Sequence, residues 1–581
     1  MKSRRAFLEI GVLAGGLTAL LAACGTNSGY PGTTTTAPAH PQRGGTLTVA
    51  LSPQTNIDWY LPIVNAGADS VSNFWLLDQI DKPLIYLNNS YKIVPRSSIA
   101  SKIVYNKAGT VYHVYLGRQW RWSNGSPVTA QDVLFTWHVI QAASKSNAPA
   151  PWPFVGAGTG DIPSGIQSVV ANNAHELTFT LKKPANQQWF IYNGLIQLTP
   201  MPKAALDKYG SNWAREIQYL GSIASNPKTA ELASDGPYKL QSATPNQSWV
   251  LTPNPDYAGH QSLVKRLVFA YQSSSSAEFA SLKTGSVNLG YLDPTQLGAS
   301  GQLTQQGDKI FAGHALSVFW TALNMYPGTK DAPILDHLYV RRALQMGIDQ
   351  PAIIKDIQHG YAIPQYGPIP STPRTEFYDP SAEPAIPYNV AAAKKLLERH
   401  GWHEVNGLMT NASGQKLSFH MIYVSGSQAT ADEAQLMQAD WRKMGVIVSL
   451  KGVNFNNYLT ETHDKTSNAW QLAVGSGWYY NGPGWYPTGG QLFATGAPTG
   501  HGYSNGHEDA LIAATHQPYP TSQQTLQVFD RYEAYTAEQL PMLWMPSPAS
   551  INVASANLHG GRTFANPATG NPAFNRMWVT K

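Results

Sequence analysis

The chain contains one cysteine, Cys24, in 581 residues. A lone cysteine excludes an internal disulfide, a thiolate zinc site, an iron–sulfur cluster and a CxxC redox pair. The chain therefore has to be held together by burial, and its length exceeds what one ordinary core supports, so several folding units are expected. Apolar residues make up 43% and charged residues 13%, where about 25% charged is usual. That balance is globular, because disorder pairs low hydrophobicity with high net charge. The polar surface has to come from Ser, Thr, Asn, Gln and Gly. Low charge density also fits an acidic habitat, where carboxylates lose their charge. The formal net charge is +5, and it is +3 without residues 1–23, which carry Lys2, Arg4, Arg5 and Glu9. No field strong enough to recruit nucleic acid remains.

Residues 1–23 read as an export leader. Lys2, Arg4 and Arg5 form its positive start, and Ile10 to Ala23 is an apolar stretch broken by Gly11, Gly15, Gly16 and Thr18. It falls short of the ~20 apolar residues of a spanning helix. Leu21-Ala22-Ala23-Cys24-Gly25 resembles a bacterial lipobox, which makes Cys24 the expected lipidated first residue of the mature chain. Ser3-Arg4-Arg5-Ala6-Phe7-Leu8-Glu9 resembles the twin-arginine consensus, with Glu9 for its usual lysine, so Sec and twin-arginine export both stay open. Residues 24–43 are rich in Gly, Pro, Ser and Thr and are expected to form a flexible tether from the anchor.

The body shows strand patterns at Gly45–Leu51, Thr110–Leu116, Glu176–Leu181, Trp249–Thr252, Arg266–Ala270 and Leu417–Val424. Thr129 with Asp132 predicts a capping box ahead of Val133–Ala143. Ser275 with Glu278 predicts a second helix start, and Thr430 with Glu433 a third. Asn389 opens Val390–His400, which Gly401 ends. Leu417–Leu450 reads as strand, helix, strand, a βαβ unit. Catalytic signatures are missing: no G-x-x-x-x-G-K-[ST], no H-E-x-x-H and no G-x-S-x-G occurs. Gly156-Ala157-Gly158-Thr159-Gly160 lies among prolines with no helix pattern after it, and is expected to be a surface loop. His400 and His403 are three apart, but Gly401 ends the helix between them, so His400 is expected to cap it.

Several longer patterns stand in order along the chain. They are Arg43-Gly44-Gly45-Thr46-Leu47-Thr48-Val49, the stretch Val111–Val133 and Asp235-Gly236-Pro237-Tyr238. Leu282-Lys283-Thr284-Gly285-Ser286-Val287-Asn288, Val340-Arg341-Arg342-Ala343-Leu344 and Tyr388–Trp402 follow, and together they resemble the extracellular solute-binding proteins of ABC importers, family 5, the oligopeptide, dipeptide and nickel type. Asn124 and Asn288 stand where that family usually has Asp. The resemblance implies an α/β, two-lobed periplasmic-binding-protein-like fold (type II, large form) with an inserted subdomain in lobe I. It places lobe I at 44–315 with the subdomain at about 75–234, lobe II at 316–545 and a return to lobe I at 546–581. A monomer without catalytic residues, cofactor or metal is expected. Its expected partners are a peptide or other oligomeric solute, an ABC permease with its ATPase subunits, and the membrane through Cys24. A receptor for an oligosaccharide or metal chelate, an extracellular hydrolase, and a chaperone or sensor stay as alternatives.

Ligand contacts are expected from three segments. Asp69, Ser70, Val71 and Ser72 match the family's edge segment beside a bound peptide, and Phe319 and Trp320 match a stretch lining the second lobe. Six aromatics crowd the 17 residues from Trp470 to Tyr486, where 11% aromatic content gives about two. Gly475, Gly477, Gly482 and Gly484 interleave with them, which predicts a glycine-rich loop on a cleft wall rather than a regular strand. Trp478, Tyr479, Tyr480, Asn481 and Trp485 are its candidates. Peptide-binding relatives carry an Asp three positions after the Trp, where this chain has Asn481. Asp464 and Glu461 are candidate substitutes for that charge.

Overall fold

The computed structural model describes residues 41–480, 486–560 and 571–580. Cys24, Asn481 and Trp485 lie outside the described residues.

Strand Thr46–Ala50 is the centre of a seven-stranded sheet, parallel to Arg266–Ala270 on one side and Leu289–Tyr291 on the other. Ser248–Pro253 and Tyr238–Thr244 extend the first side, Ser550–Ala554 and Lys309–Gly313 the second, all antiparallel. Both faces are covered, as a sheet with a parallel centre requires. Leu47 and Val49 enter the main core, whereas Ala50 joins a smaller one with Leu282 and Val553. A second sheet has five strands in the order Ile447–Val453, Ser418–Val424, Leu472–Tyr479, Ser317–Leu323, Leu543–Trp544. The chain crosses between the sheets after Gly313 and returns before Ser550, which gives two lobes. A four-stranded antiparallel sheet, built from Ala100–Tyr105, Val111–Leu116, Glu176–Leu181 and Ile166–Asn173, is inserted into the first lobe.

Local sequence explains these elements. Val111–Leu116 and Glu176–Leu181 bury every second residue, the period of a half-buried strand. Leu417–Leu450 folds as the βαβ unit read from the sequence: Ser418–Val424 pairs in parallel with Ile447–Val453 across helix Gln428–Lys443. Ala434, Met437 and Trp441, at helical spacing, face the second lobe's core. Trp441 is fully buried and its Nε1 donates to the Leu344 carbonyl at 2.9 Å. Truncation of that ring to alanine would cost about 3–5 kcal/mol. Gly445, at φ +79, ends the helix in a conformation that favours glycine.

The capping box forms as read: the Thr129 backbone N–H donates to Asp132 Oδ2 at 2.8 Å, and the Thr129 side chain receives the reciprocal bond. Two other helix starts are displaced. Ser274, not Ser275, caps its helix, and Ser427, not Thr430, caps the helix of the βαβ unit. In each case an earlier serine takes the cap. The Glu278 carboxylate accepts from Tyr291 N–H at 2.7 Å instead of closing a box. His400 sits at its helix end as expected and stacks on Tyr339 with ring centroids 3.9 Å apart. Segment 156–160 is not a surface loop. Gly156, Thr159 and Gly160 are buried, and a Cβ on Gly160 would meet Gly194 at 2.3 Å. Glycine is there for close approach of backbone to backbone.

The interior holds carboxyl groups without cations. Glu383 is 8% exposed and Glu533 fully buried. Glu383 Oε1 accepts from Ile369 N–H and Glu533 Oε2 from Asp379 N–H, both at 3.1 Å, while the two carboxyls face each other. Neither forms an ion pair among the described residues. Burial pushes both far above the ordinary carboxyl range, and for Glu533 the facing Glu383 adds to it, so the pair favours its protonated form. Burial also pushes Glu278 and Glu508 up to about 8. Folded pKa values above unfolded ones give stability that is complete below pH about 4 and is lost as pH rises through the folded values. The melting temperature is therefore expected to fall between pH 4.5 and 8, roughly the window these shifts span. Glu383→Gln, which replaces one carboxyl of the pair by an amide, should raise the midpoint at pH 8 and leave it nearly unchanged at pH 4. A midpoint that rises steadily from pH 4 to 8 would contradict this reading of the buried carboxyls.

Candidate ligand-binding site

A cavity of about 770 Å³ lies between the lobes. Its first-lobe wall starts with helix Val71–Ile80. Ser70 caps this helix, its Oγ accepting from Asn73 N–H at 3.1 Å. Val71, Phe74 and Asp78, at i, i+3 and i+7, then share the face turned to the cavity. Phe311 to Ala315, where the chain leaves the first sheet, adds a second strip. The other lobe contributes Phe319, Val424, Ser427, Phe455 and Gly475 to Tyr479.

The last of these is a strand, which corrects the expectation of a loop. Leu472–Tyr479 pairs with Ser317–Leu323 along its length, but with Ser418–Val424 only from Leu472 to Val474. Gly475 is an extra residue in the first pairing, since Trp320 opposes Ser476 and Thr321 opposes Val474. It is a β-bulge, with φ +106. A Cβ at Gly475 would come within 2.8 Å of Thr430 and 3.0 Å of Val424; one at Gly477 would meet the Val318 carbonyl at 2.3 Å. Tyr480 N–H donates to Leu316 O, so by antiparallel alternation the peptide groups of Tyr479 and Gly477 point to the opposite edge. That edge has no strand partner among the described residues, and it lines the cavity.

Of the residues expected from sequence, Asp69, Val71, Ser72, Phe319, Trp478 and Tyr479 stand on the cavity wall. Ser70, Trp320 and Tyr480 do not. Ser70 is 1% exposed because it caps the helix. Trp320 is the neighbour of Phe319 along one strand, so its ring points to the other face, where it is 4% exposed. Tyr480 is fully buried and its hydroxyl donates to the Pro368 carbonyl at 2.6 Å. Asn481 and Trp485 lie outside the described residues. Asp464 and Glu461 are not on the wall: Asp464 Oδ1 accepts from Thr466 N–H at 2.9 Å, and Glu461 Oε2 from Ser467 Oγ at 2.8 Å. Sequence reasoning missed Phe74, Phe311, His314, Phe455, Lys82 and Arg576. Phe74 was visible as the residue one helical turn beyond Val71; the others reach the cavity through topology.

The charges at one end of the cavity are largely internal. The Lys82 ammonium lies 4.7 Å from the Tyr86 ring centre, 5.7 Å from Trp120 and 5.8 Å from Tyr257. Burial lowers its pKa to about 8, against the pull of Asp235 and Asp78. Asp235, pushed up to about 8 by burial, accepts from Lys82 N–H at 2.7 Å. Elsewhere the wall offers unused groups. Trp478 Nε1 and His314 Nδ1 are buried without a hydrogen-bond partner among the described residues. Burial lowers the His314 pKa, which keeps its imidazole neutral.

Polar ties run from lobe to lobe at the rim. Asn456 Nδ2 donates to Asp58 Oδ2 at 2.6 Å, and Asn56 N–H donates to Asn456 Oδ1 at 3.0 Å. Asn73 Nδ2 donates to the other Asp58 oxygen at 2.9 Å. Asp293 Oδ2 accepts from Ser427 Oγ at 2.8 Å and from Gln428 N–H at 3.1 Å, a carboxylate on a helix N-terminus. Ser425 Oγ donates to Gln54 Oε1 at 2.6 Å.

The model of a known family, bacterial extracellular solute-binding proteins, family 5 Middle, matches residues 94–496. The chain is 24% identical over 427 residues to the periplasmic oligopeptide-binding protein OppA of Salmonella typhimurium, covering 71% of this chain and 72% of that one. It is 23% identical to the oligopeptide-binding protein AppA of Bacillus subtilis, over 78% of each chain. Among solved structures, AppA of B. subtilis in complex with a nonapeptide superimposes with a TM-score of 0.80 at 19% identity, over 93% of this chain and 100% of that one. NikZ of Campylobacter jejuni in complex with Ni(L-His) gives 0.70 at 18% identity, over 90% and 96%. The family match spans most of the chain and agrees with the two-lobed fold: the protein belongs to family 5 of the bacterial extracellular solute-binding proteins.

Proposed function

We propose that the chain is the solute-binding subunit of an ABC importer and captures a peptide-like solute in extended form. The observation that carries this is the strand edge from Gly475 to Tyr479 on the cavity wall, which has no strand partner among the described residues. An extended peptide completes such an edge through main-chain hydrogen bonds, which bind without regard to sequence. Phe74, Phe319, Phe455 and Trp478 offer rings to its side chains, contact area at small entropy cost. Residues on both lobes line the cavity, so a ligand touching both favours closure by its differential affinity. A permease then distinguishes loaded from empty by shape. No bond chemistry is asked of the site. Anchoring through lipidated Cys24 and a tether over residues 24–43 is part of this reading, and it suits a receptor that has to stay near its permease.

A metal chelate is the second reading. The neutral His314 imidazole on the wall has an unpartnered Nδ1, and a fold neighbour holds Ni(L-His). Native mass spectrometry of the full chain purified from its source separates the two. A ladder of peptide masses supports the peptide reading, and a single metal-containing mass overturns it.

Closure has its own test. Asn456→Asp places a second carboxylate against Asp58, where an amide N–H now donates. Small-angle scattering of this variant with ligand should show open lobes at pH 7 and closed lobes near pH 4, with about tenfold weaker binding at pH 7 from like-charge repulsion. Closed lobes at both values would remove the tie from the account. Trp478→Ala should weaken binding by about tenfold or more and leave the melting temperature within a few degrees of wild type. An unchanged affinity by calorimetry would exclude Trp478 from the site.

A further inference from the structure

Asp69 is the cavity-wall acid that has neither a partner nor a neighbouring charge among the described residues. It sits between the turn Ala66–Ala68 and the helix Val71–Ile80, and its backbone N–H bonds to the Ala66 carbonyl. Its carboxyl has no hydrogen bond and no ion pair among the described residues. The two other acids on this wall, Asp78 and Asp81, stand next to charged groups. Asp78 accepts from Asn571 and feels the Lys82 charge, and Asp81, though its Oδ2 has no hydrogen-bond partner among the described residues, lies against Asp78 and Asp235. Burial alone pushes the Asp69 carboxyl up to about 7, and no neighbouring charge acts on it in either direction. A desolvated carboxyl without a partner is costly, and a core position would replace it by an apolar residue. Here the group is kept on the ligand's side of the wall. The acids that sequence reasoning held ready for a ligand cation, Asp464 and Glu461, are spent on local hydrogen bonds.

We infer that Asp69 is the cation-binding residue of this cavity, so that the preferred solute carries an ammonium or guanidinium group that pairs with its carboxylate. The pairing supplies the charge that desolvation denies the carboxyl. The inference rests on the peptide reading for the kind of molecule, which brings a cation either as its α-ammonium or as a Lys or Arg side chain. It also ranks the chelates: one with net negative charge meets an uncompensated acid and is disfavoured.

The test compares the full-length chain with Asp69→Asn by calorimetry at pH 7.5. Three pentapeptide mixtures serve as probes: free amine without Lys or Arg, N-acetylated with one Lys, and N-acetylated and neutral. Hexylammonium and hexanol serve as non-peptide probes. Wild type should bind one or both cationic mixtures about tenfold more tightly than the neutral one, and the variant should lose that preference while holding the neutral mixture as before. The neutral mixture thus reports that the variant is folded, and the first two mixtures tell α-ammonium from side chain. Peptides bound without charge preference, or a preference that survives in Asp69→Asn, overturn the inference and leave the peptide reading standing. If no peptide binds but hexylammonium is preferred over hexanol only by wild type, Asp69 keeps its role and the peptide reading falls. If neither probe set shows a preference dependent on Asp69, the inference is wrong.

Discussion

One extra residue, Gly475, decides what the cleft can do. The strand Leu472–Tyr479 begins as an inner strand of the second sheet, held on both sides from Leu472 to Val474. The bulge at Gly475 turns it away from its neighbour, because the φ of +106 is open to glycine at little cost. From there one edge stays paired and the other meets the cavity. The rigid part and the adaptable part of the wall are the same strand. Its paired side is fixed in the second lobe's core, so the free peptide groups of Gly477 and Tyr479 are positioned before any ligand arrives.

The handling of charge follows a consistent pattern. Several carboxyls inside the protein stand without a cation, as at Glu383 with Glu533, although buried Asp440 pairs with Lys443. Where a carboxylate works between lobes, amides and hydroxyls answer it: Asn73 and Asn456 at Asp58, Ser427 and a helix terminus at Asp293. Such neutral ties cost little to break and remake, which suits lobes that open and close. The low charged content, 13%, is the compositional trace of this design. Asp69 stands apart as an acid on the cavity wall with no hydrogen bond among the described residues and no neighbouring charge.

Much of the scaffold was legible because it is local. Glu176–Leu181 and Arg266–Ala270 have the bounds read from alternation, and Thr129 with Asp132 forms its box. Helix starts slipped by one to three residues at Ser274 and Ser427, since runs of Ser and Thr supply several equivalent caps. The site was less legible. Gly475 and Gly477 read as loop residues, yet each is a glycine because a strand passes too close to Thr430 or the Val318 carbonyl for a side chain. Phe311 and Phe455 gave no local signal. They meet on one wall only after the chain has crossed between sheets, which periodicity does not encode. Trp320 and Tyr480 were drawn in by their neighbours' chemistry, although strand alternation already sends Phe319 and Trp320 to opposite faces.

The claim on which the rest turns is that solute completes the open edge of this strand. Hydrogen exchange measured at single-residue resolution, with and without a bound peptide, addresses it directly. Strong added protection at the amides of Gly477 and Tyr479 is the expected result, with the already bonded amide of Tyr480 unchanged. Binding that leaves Gly477 and Tyr479 exchanging as in the empty protein would contradict it and move the ligand to the aromatic side chains alone.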